Sequence, residues 1–173
     1  MRAADLDLIF VPEPGLRDDD HWQTRWSAKL SSARFVGEVY TPDDIVETAR
    51  RATRPIFFIA YSLGAIQLVK AAPDLAGLDV RGAFLVAPPA QAALDAIDEG
   101  AWGPTPRVGL PFPSVLIASR TDSRATYEES AALAVDWGST LIDAGEAGRL
   151  DEASGHGPWP EGLLRLAGML KKL

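Results

Sequence analysis

The stretch from Arg54 to Ala72, RPIFFIAYSLGAIQLVKAA, constrains this chain more than any other. After Pro55 it runs Ile56-Phe57-Phe58-Ile59 without a polar side chain, which is how a short strand buried on both faces reads. The run stops at Ala60-Tyr61-Ser62-Leu63-Gly64, and a helical pattern at Ala65, Ile66, Leu68 and Val69 continues to Pro73. A strand, a tight turn holding one serine between small residues, and a helix make the layout of a nucleophile elbow. The turn is sharp, so the residues two positions either side of the serine must be small, and here they are Ala60 and Gly64. The helix that begins there turns backbone N–H groups toward any anion near Ser62. A serine at a helix start is also an ordinary N-cap, so the pentapeptide leaves both roles open.

The flanking sequence repeats the strand–helix alternation. Leu6 to Val11 reads as a first strand, ended by Pro12 and Pro14-Gly15, and Asp20 with Gln23 reads as the capping box of a helix. Trp22, Trp26 and Leu30 form an i, i+4, i+8 stripe suited to a core. Phe35 to Tyr40 reads as a second strand, and Thr41-Pro42 opens a helix with Ile45, Val46 and Ala49 inward. Further strands are expected at 82–87, 115–118 and 141–142, with a proline-rich loop over 97–113. Thr126 and Glu129 cap a helix that runs to Trp137 and stops at Gly138, and Pro160 opens a closing helix after a glycine-rich loop at 145–159. This alternation predicts one α/β domain over residues 1–173, a three-layer α/β/α sandwich around a mainly parallel sheet.

Composition narrows the function classes. The net charge is −7, from 17 Lys+Arg against 24 Asp+Glu, and no basic run is present. Neither nucleic acid nor an anionic membrane is therefore an expected partner. With no cysteine there is no thiolate nucleophile, disulfide or Cys-ligated zinc. Two histidines without a companion ligand cluster give no metal site. Gly145-Glu146-Ala147-Gly148 lacks the lysine and helix of a phosphate loop. No cofactor is expected, and the partner is a small molecule. The apolar run at Leu6 to Val11 is too short for a signal or a membrane span, so a cytoplasmic location is the default expectation. The oligomeric state is not readable.

In parallel sheets, ligands bind beyond the carboxyl ends of the strands. His21, Ser62, Asp122, Arg149 and His156 all fall there, and Ser62, Asp122 and His156 stand in the chain order of an α/β-hydrolase triad. Several stretches together resemble one family: HWQTRW at 21–26, YSLG at 61–64, AFLVAPP at 83–89, LPFPSVLIASRTD at 110–122, DWGS at 136–139 and SGHGPWPEG at 154–162. They are similar to the small bacterial serine hydrolases of the retinoblastoma-binding-protein-nine type, compact α/β-hydrolases without a large cap domain. The resemblance implies Ser62 as nucleophile and Asp122 as triad acid, with an oxyanion hole from the N–H groups of Leu63 and of the Gly15-Leu16 turn. Gly15, His21, Trp22, Tyr61 and Arg149 are the candidate substrate-binding residues.

The chain departs from that pattern in three places. Where the family has a Gly-His pair supplying the general base, this chain has Gly148-Arg149, and arginine cannot accept the serine proton. The loop after Pro14-Gly15 is Leu16-Arg17-Asp18-Asp19-Asp20, and its carboxylates oppose an oxyanion. Ser123 stands where a proline usually follows the acid. Two functions follow as expectations. One is hydrolysis of small esters or amides through an acyl-enzyme on Ser62, with His156 as base. The other is a hydrolase-like protein without hydrolysis, in which Arg149 pairs with Asp122 and the pocket binds a small ligand or runs a non-hydrolytic step. A third possibility keeps Arg149 as a clamp for an acidic substrate, since a guanidinium binds a carboxylate in bidentate fashion.

Overall fold

The computed structural model describes residues 1–15 and 18–173. Six parallel strands form one sheet: β1 (Asp7–Val11), β2 (Ala33–Phe35), β3 (Ile56–Tyr61), β4 (Val80–Val86), β5 (Ser114–Ala118) and β6 (Thr140–Asp143), in the order β2-β1-β3-β4-β5-β6. The helices are α1 (Trp22–Ser27), α2 (Pro42–Arg50), α3 (Leu63–Ala71), α4 (Gln91–Ala96), α5 (Tyr127–Trp137) and α6 (Pro160–Leu170). The sheet is covered on both faces, as the strand–helix alternation requires. Alternate residues of each strand feed two cores. Ile9, Phe58, Leu85 and Leu116 pack with α2, α3 and α5, whereas Phe10, Ile59, Phe84 and Ile117 pack with α1 and α6. The second core is aromatic, with Trp26 stacked on Trp159 at 5.6 Å and Trp22 wedged beside both.

Asp7 fixes the start of β1. Its side chain is fully buried and accepts the N–H groups of Thr53 and Arg54 at 2.8 and 3.1 Å, while the guanidiniums of Arg34 and Arg54 lie 3.0 and 3.3 Å away. Burial alone would raise its pKa, but these donors more than offset it and the carboxyl lies below its ordinary range. The central pair β1–β3 is thus pinned at its amino end.

At the carboxyl end the packing is closer still. A Cβ on Gly64 would lie 2.3 Å from the Val11 carbonyl oxygen and 2.5 Å from that of Pro12. The start of α3 is therefore pressed against the end of β1, which brings residue 13 over the turn at residue 62. Gln23, buried on α1, donates to the carbonyls of Ile59 at 3.0 Å and Val11 at 3.4 Å and ties the two strand ends together.

Two expectations change in detail, and one helix is added. The cap of α1 is His21 rather than Asp20, because its Nδ1 accepts the Gln23 N–H at 3.2 Å. The second strand is Ala33–Phe35, not Phe35 to Tyr40. Helix α4 follows Pro88-Pro89, where six residues are too few to show a helical period. Among the described residues, no helix is long and apolar enough to cross a membrane.

Candidate active site

Ser62 sits between β3 and α3 with φ 52° and ψ −122°, a conformation that costs a non-glycine residue about 1–3 kcal/mol. Its N–H donates to the Val86 carbonyl at 2.8 Å, which anchors the turn to β4. Its side chain makes no capping bond to α3. The serine is thus held in an elbow and not used as a cap. Leu63 opens the helix, and its N–H lies in the first turn, where no intrahelical acceptor exists.

The hydroxyl of Ser62 donates to Oε1 of Glu13 at 2.9 Å. Glu13 is nearly buried, and the same oxygen accepts Arg124 Nη1 at 2.6 Å and Arg149 Nη2 at 3.3 Å. Three donors, two of them cationic, converge on one carboxylate oxygen. Two arginines neutralise the buried charge, and their side chains remain about 30% and 26% exposed.

Asp122 lies past the end of β5, where its carboxylate accepts the Arg124 N–H at 2.8 Å. Burial raises its pKa above the ordinary carboxylate value, against the Arg124 N–H and the charges of Arg149 and Arg124. Arg149 influences Asp122 through space, but its guanidinium contact is with Glu13. The backbone carbonyl of Arg149 accepts the Tyr61 hydroxyl at 2.9 Å, and the next carbonyl, of Leu150, accepts Trp22 Nε1 at 3.0 Å.

Neither histidine hydrogen-bonds Ser62. His156 Nδ1 faces Ser154 Oγ at 3.2 Å, and its ring stands edge-on to Trp159. It lines a hollow with Glu146, Leu150, Glu161 and Arg165. His21 caps α1 and packs on Tyr61, with ring centroids 4.6 Å apart. Burial pushes its pKa down to about 4 against the pull of Asp151, Asp18 and Glu13, so it is neutral at pH 7. Its Nε2 is buried without a hydrogen-bond partner.

His21, Tyr61 and Arg149 share a cavity of about 210 Å³ with Glu13, Asp18, Asp151 and Glu152. Ser62, 1% exposed, is not part of its lining. The Gly15 N–H, expected to face the substrate, donates to the Glu38 carbonyl at 2.7 Å. Trp22 is fully buried in the aromatic core. Leu16, expected to complete the oxyanion hole, lies outside the described residues. Sequence reasoning missed Glu13 and Arg124. The available signal was an acidic residue between two prolines at the carboxyl end of β1, where parallel sheets place their ligands.

A parallel sheet with a strained serine elbow at the end of its third strand defines an α/β-hydrolase. The serine hydrolase family model matches residues 8–168, and the chain belongs to that family. No curated protein matches the chain in sequence. Among solved structures it is similar to a Pectobacterium atrosepticum protein described as a YdeN-like hydrolase. The two are 28% identical over 95% of this chain and 90% of that one, with a TM-score of 0.83. The ydeN gene product of Bacillus subtilis shares the fold at 17% identity and a TM-score of 0.68, over 95% and 99% of the two chains. A Xanthomonas campestris protein described as a hydrolase of the α/β superfamily does so at 17% and 0.71, over 98% and 99%.

Proposed function

We propose that this member of the serine hydrolase family binds a small neutral or cationic molecule in the cavity beside Ser62 and does not run histidine-based hydrolysis there. The observation that carries this reading is the bond from Ser62 to Glu13 in place of an imidazole. A carboxylate oxygen offers about two lone-pair directions. Oε1 also holds two guanidinium N–H groups, so its lone pairs are shared between those cations and the serine hydroxyl rather than kept for the serine proton. A negative charge 2.9 Å from the nucleophile also opposes the oxyanion that acyl transfer develops.

The cavity supports a ligand that is not an anion. Glu13, Asp18, Asp151 and Glu152 face Arg149, the one cation among its described lining residues, and His21 is neutral. At about 210 Å³ it lies below the roughly 300–1,000 Å³ of drug-sized sites, which fits a molecule of few heavy atoms. This arrangement argues against Arg149 as a clamp for an acidic substrate. Thermal-shift measurements on the intact protein should show stabilisation by small amines or alcohols and none by carboxylates of the same size.

A broad fluorophosphonate tests the chemistry. Labelling forms an Oγ–P bond at Ser62 and breaks P–F, so fluoride leaves and the serine proton passes to solvent. The folded protein should label no faster than Ser62→Ala. Fast labelling that depends on Ser62 would instead favour the second reading, acyl transfer on small esters or amides, for which the strained serine elbow at the start of α3 is the supporting observation.

A further inference from the structure

Glu13 is placed as a ligand would be. Its carboxylate lies over the elbow and is gripped by the Ser62 hydroxyl at 2.9 Å, Arg124 at 2.6 Å and Arg149 at 3.3 Å. The three donors come from distant parts of the chain: the turn after β3, the loop after β5 and the loop after β6. The acceptor comes from the loop after β1. The donors meet at the end of the sheet, and their common partner is one oxygen. We propose that Ser62, Arg124 and Arg149 form a carboxylate-binding subsite and that the Glu13 side chain is its built-in occupant, closing the space above the nucleophile.

Three features support an occupant rather than a mere ion pair. The Glu13 side chain is about 7% exposed while those of Arg124 and Arg149 are about 30% and 26% exposed, so the acceptor is the enclosed member. The nucleophile is buried beneath it and outside the cavity lining, whereas Glu13 reaches both. The backbone beneath is fixed, because the Pro12 carbonyl lies against Gly64 and accepts the Tyr40 hydroxyl. Glu13 is therefore delivered to Ser62 by rigid elements. The inference rests on the reading that Ser62 is not an active nucleophile in this chain, and it adds what fills the place of a substrate acyl group.

The test removes the occupant and supplies a free one. In Glu13→Ala, propionate at tens of millimolar should raise Tm by about 2 °C or more, since a ligand that binds only the folded state stabilises it by mass action. Wild type should not respond, and neither form should respond to propionamide or to sodium chloride at matched ionic strength. Glu13→Gln keeps the space filled and should also be silent. Should Glu13→Ala be unfolded in plain buffer, recovery of folded protein with propionate and not with propionamide is the same result. Equal propionate responses in wild type and Glu13→Ala, an equal response in Glu13→Gln, or none in Glu13→Ala would overturn the proposal. Fluorophosphonate labelling of wild type is a separate readout: it bears on whether Ser62 reacts, and the propionate experiment bears on what the subsite holds.

Discussion

Asp7 and Glu13 stand six residues apart and are both buried acids held by two arginines, yet their partners give them different work. Asp7 also accepts two backbone N–H groups, so its loss leaves buried donors unmet. Asp7→Ala is expected to destabilise the protein by about 2–4 kcal/mol in a denaturant titration. Among the described residues Glu13 accepts side-chain donors only, and its partly exposed arginines can rehydrate, so Glu13→Ala should cost less, about 1–3 kcal/mol. Comparing the two variants' unfolding midpoints checks the order. At this scale the sequence was legible where one residue carries its own signal. Ser62 between Ala60 and Gly64 is such a case. Glu13 and Arg124 were not legible, because their meaning comes from convergence across 111 positions of chain.

Among the elements, the strand–elbow–helix unit was read nearly to the residue, since a continuous apolar run and small flanking residues are local properties. Helix α5 was read equally well: Thr126 and Glu129 form the capping box, and Gly138 adopts the left-handed stop at φ 67°. Helix α1 was misread at its start because a histidine ring took the capping role in competition with Asp20. The contact between β1 and α3 lay beyond sequence reasoning, although a small residue was expected at 64. Gly64→Ala would drive a methyl group into two backbone carbonyls that cannot turn aside. A loss of about 2–4 kcal/mol is expected by chemical denaturation, with the Ser62–Glu13 geometry disturbed in the same variant.

For the whole molecule, the sheet is shared by two cores, so α1 and α6 on one face and α2, α3 and α5 on the other should unfold in one transition. Its pH dependence follows from named groups. The His21 pKa falls from 6.5 to about 4 on folding, so the unfolded chain binds the extra proton between those values. Stability should therefore fall as pH drops from about 6.5 to about 4, with a slope approaching 1.4 kcal/mol per pH unit. His21→Asn keeps a capping acceptor and should flatten that limb. Asp7, depressed in the fold, contributes stability above its unfolded pKa of about 3.9 that is lost as pH falls further. Asp122, raised in the fold, works the other way and loses its contribution as pH rises through its folded value. Urea midpoints from pH 3 to 8 would check these signs together. One last feature reaches beyond stability. The loop bearing Arg149 is gripped by Tyr61 and Trp22 through its own carbonyls, so its course is independent of which side chain residue 149 carries. The side chain at 149 can therefore change, and with it what faces Glu13 above the sheet, while the backbone that carries it stays put. Arg149→His should accordingly leave the course of this loop unchanged, which a crystal structure of the variant would check.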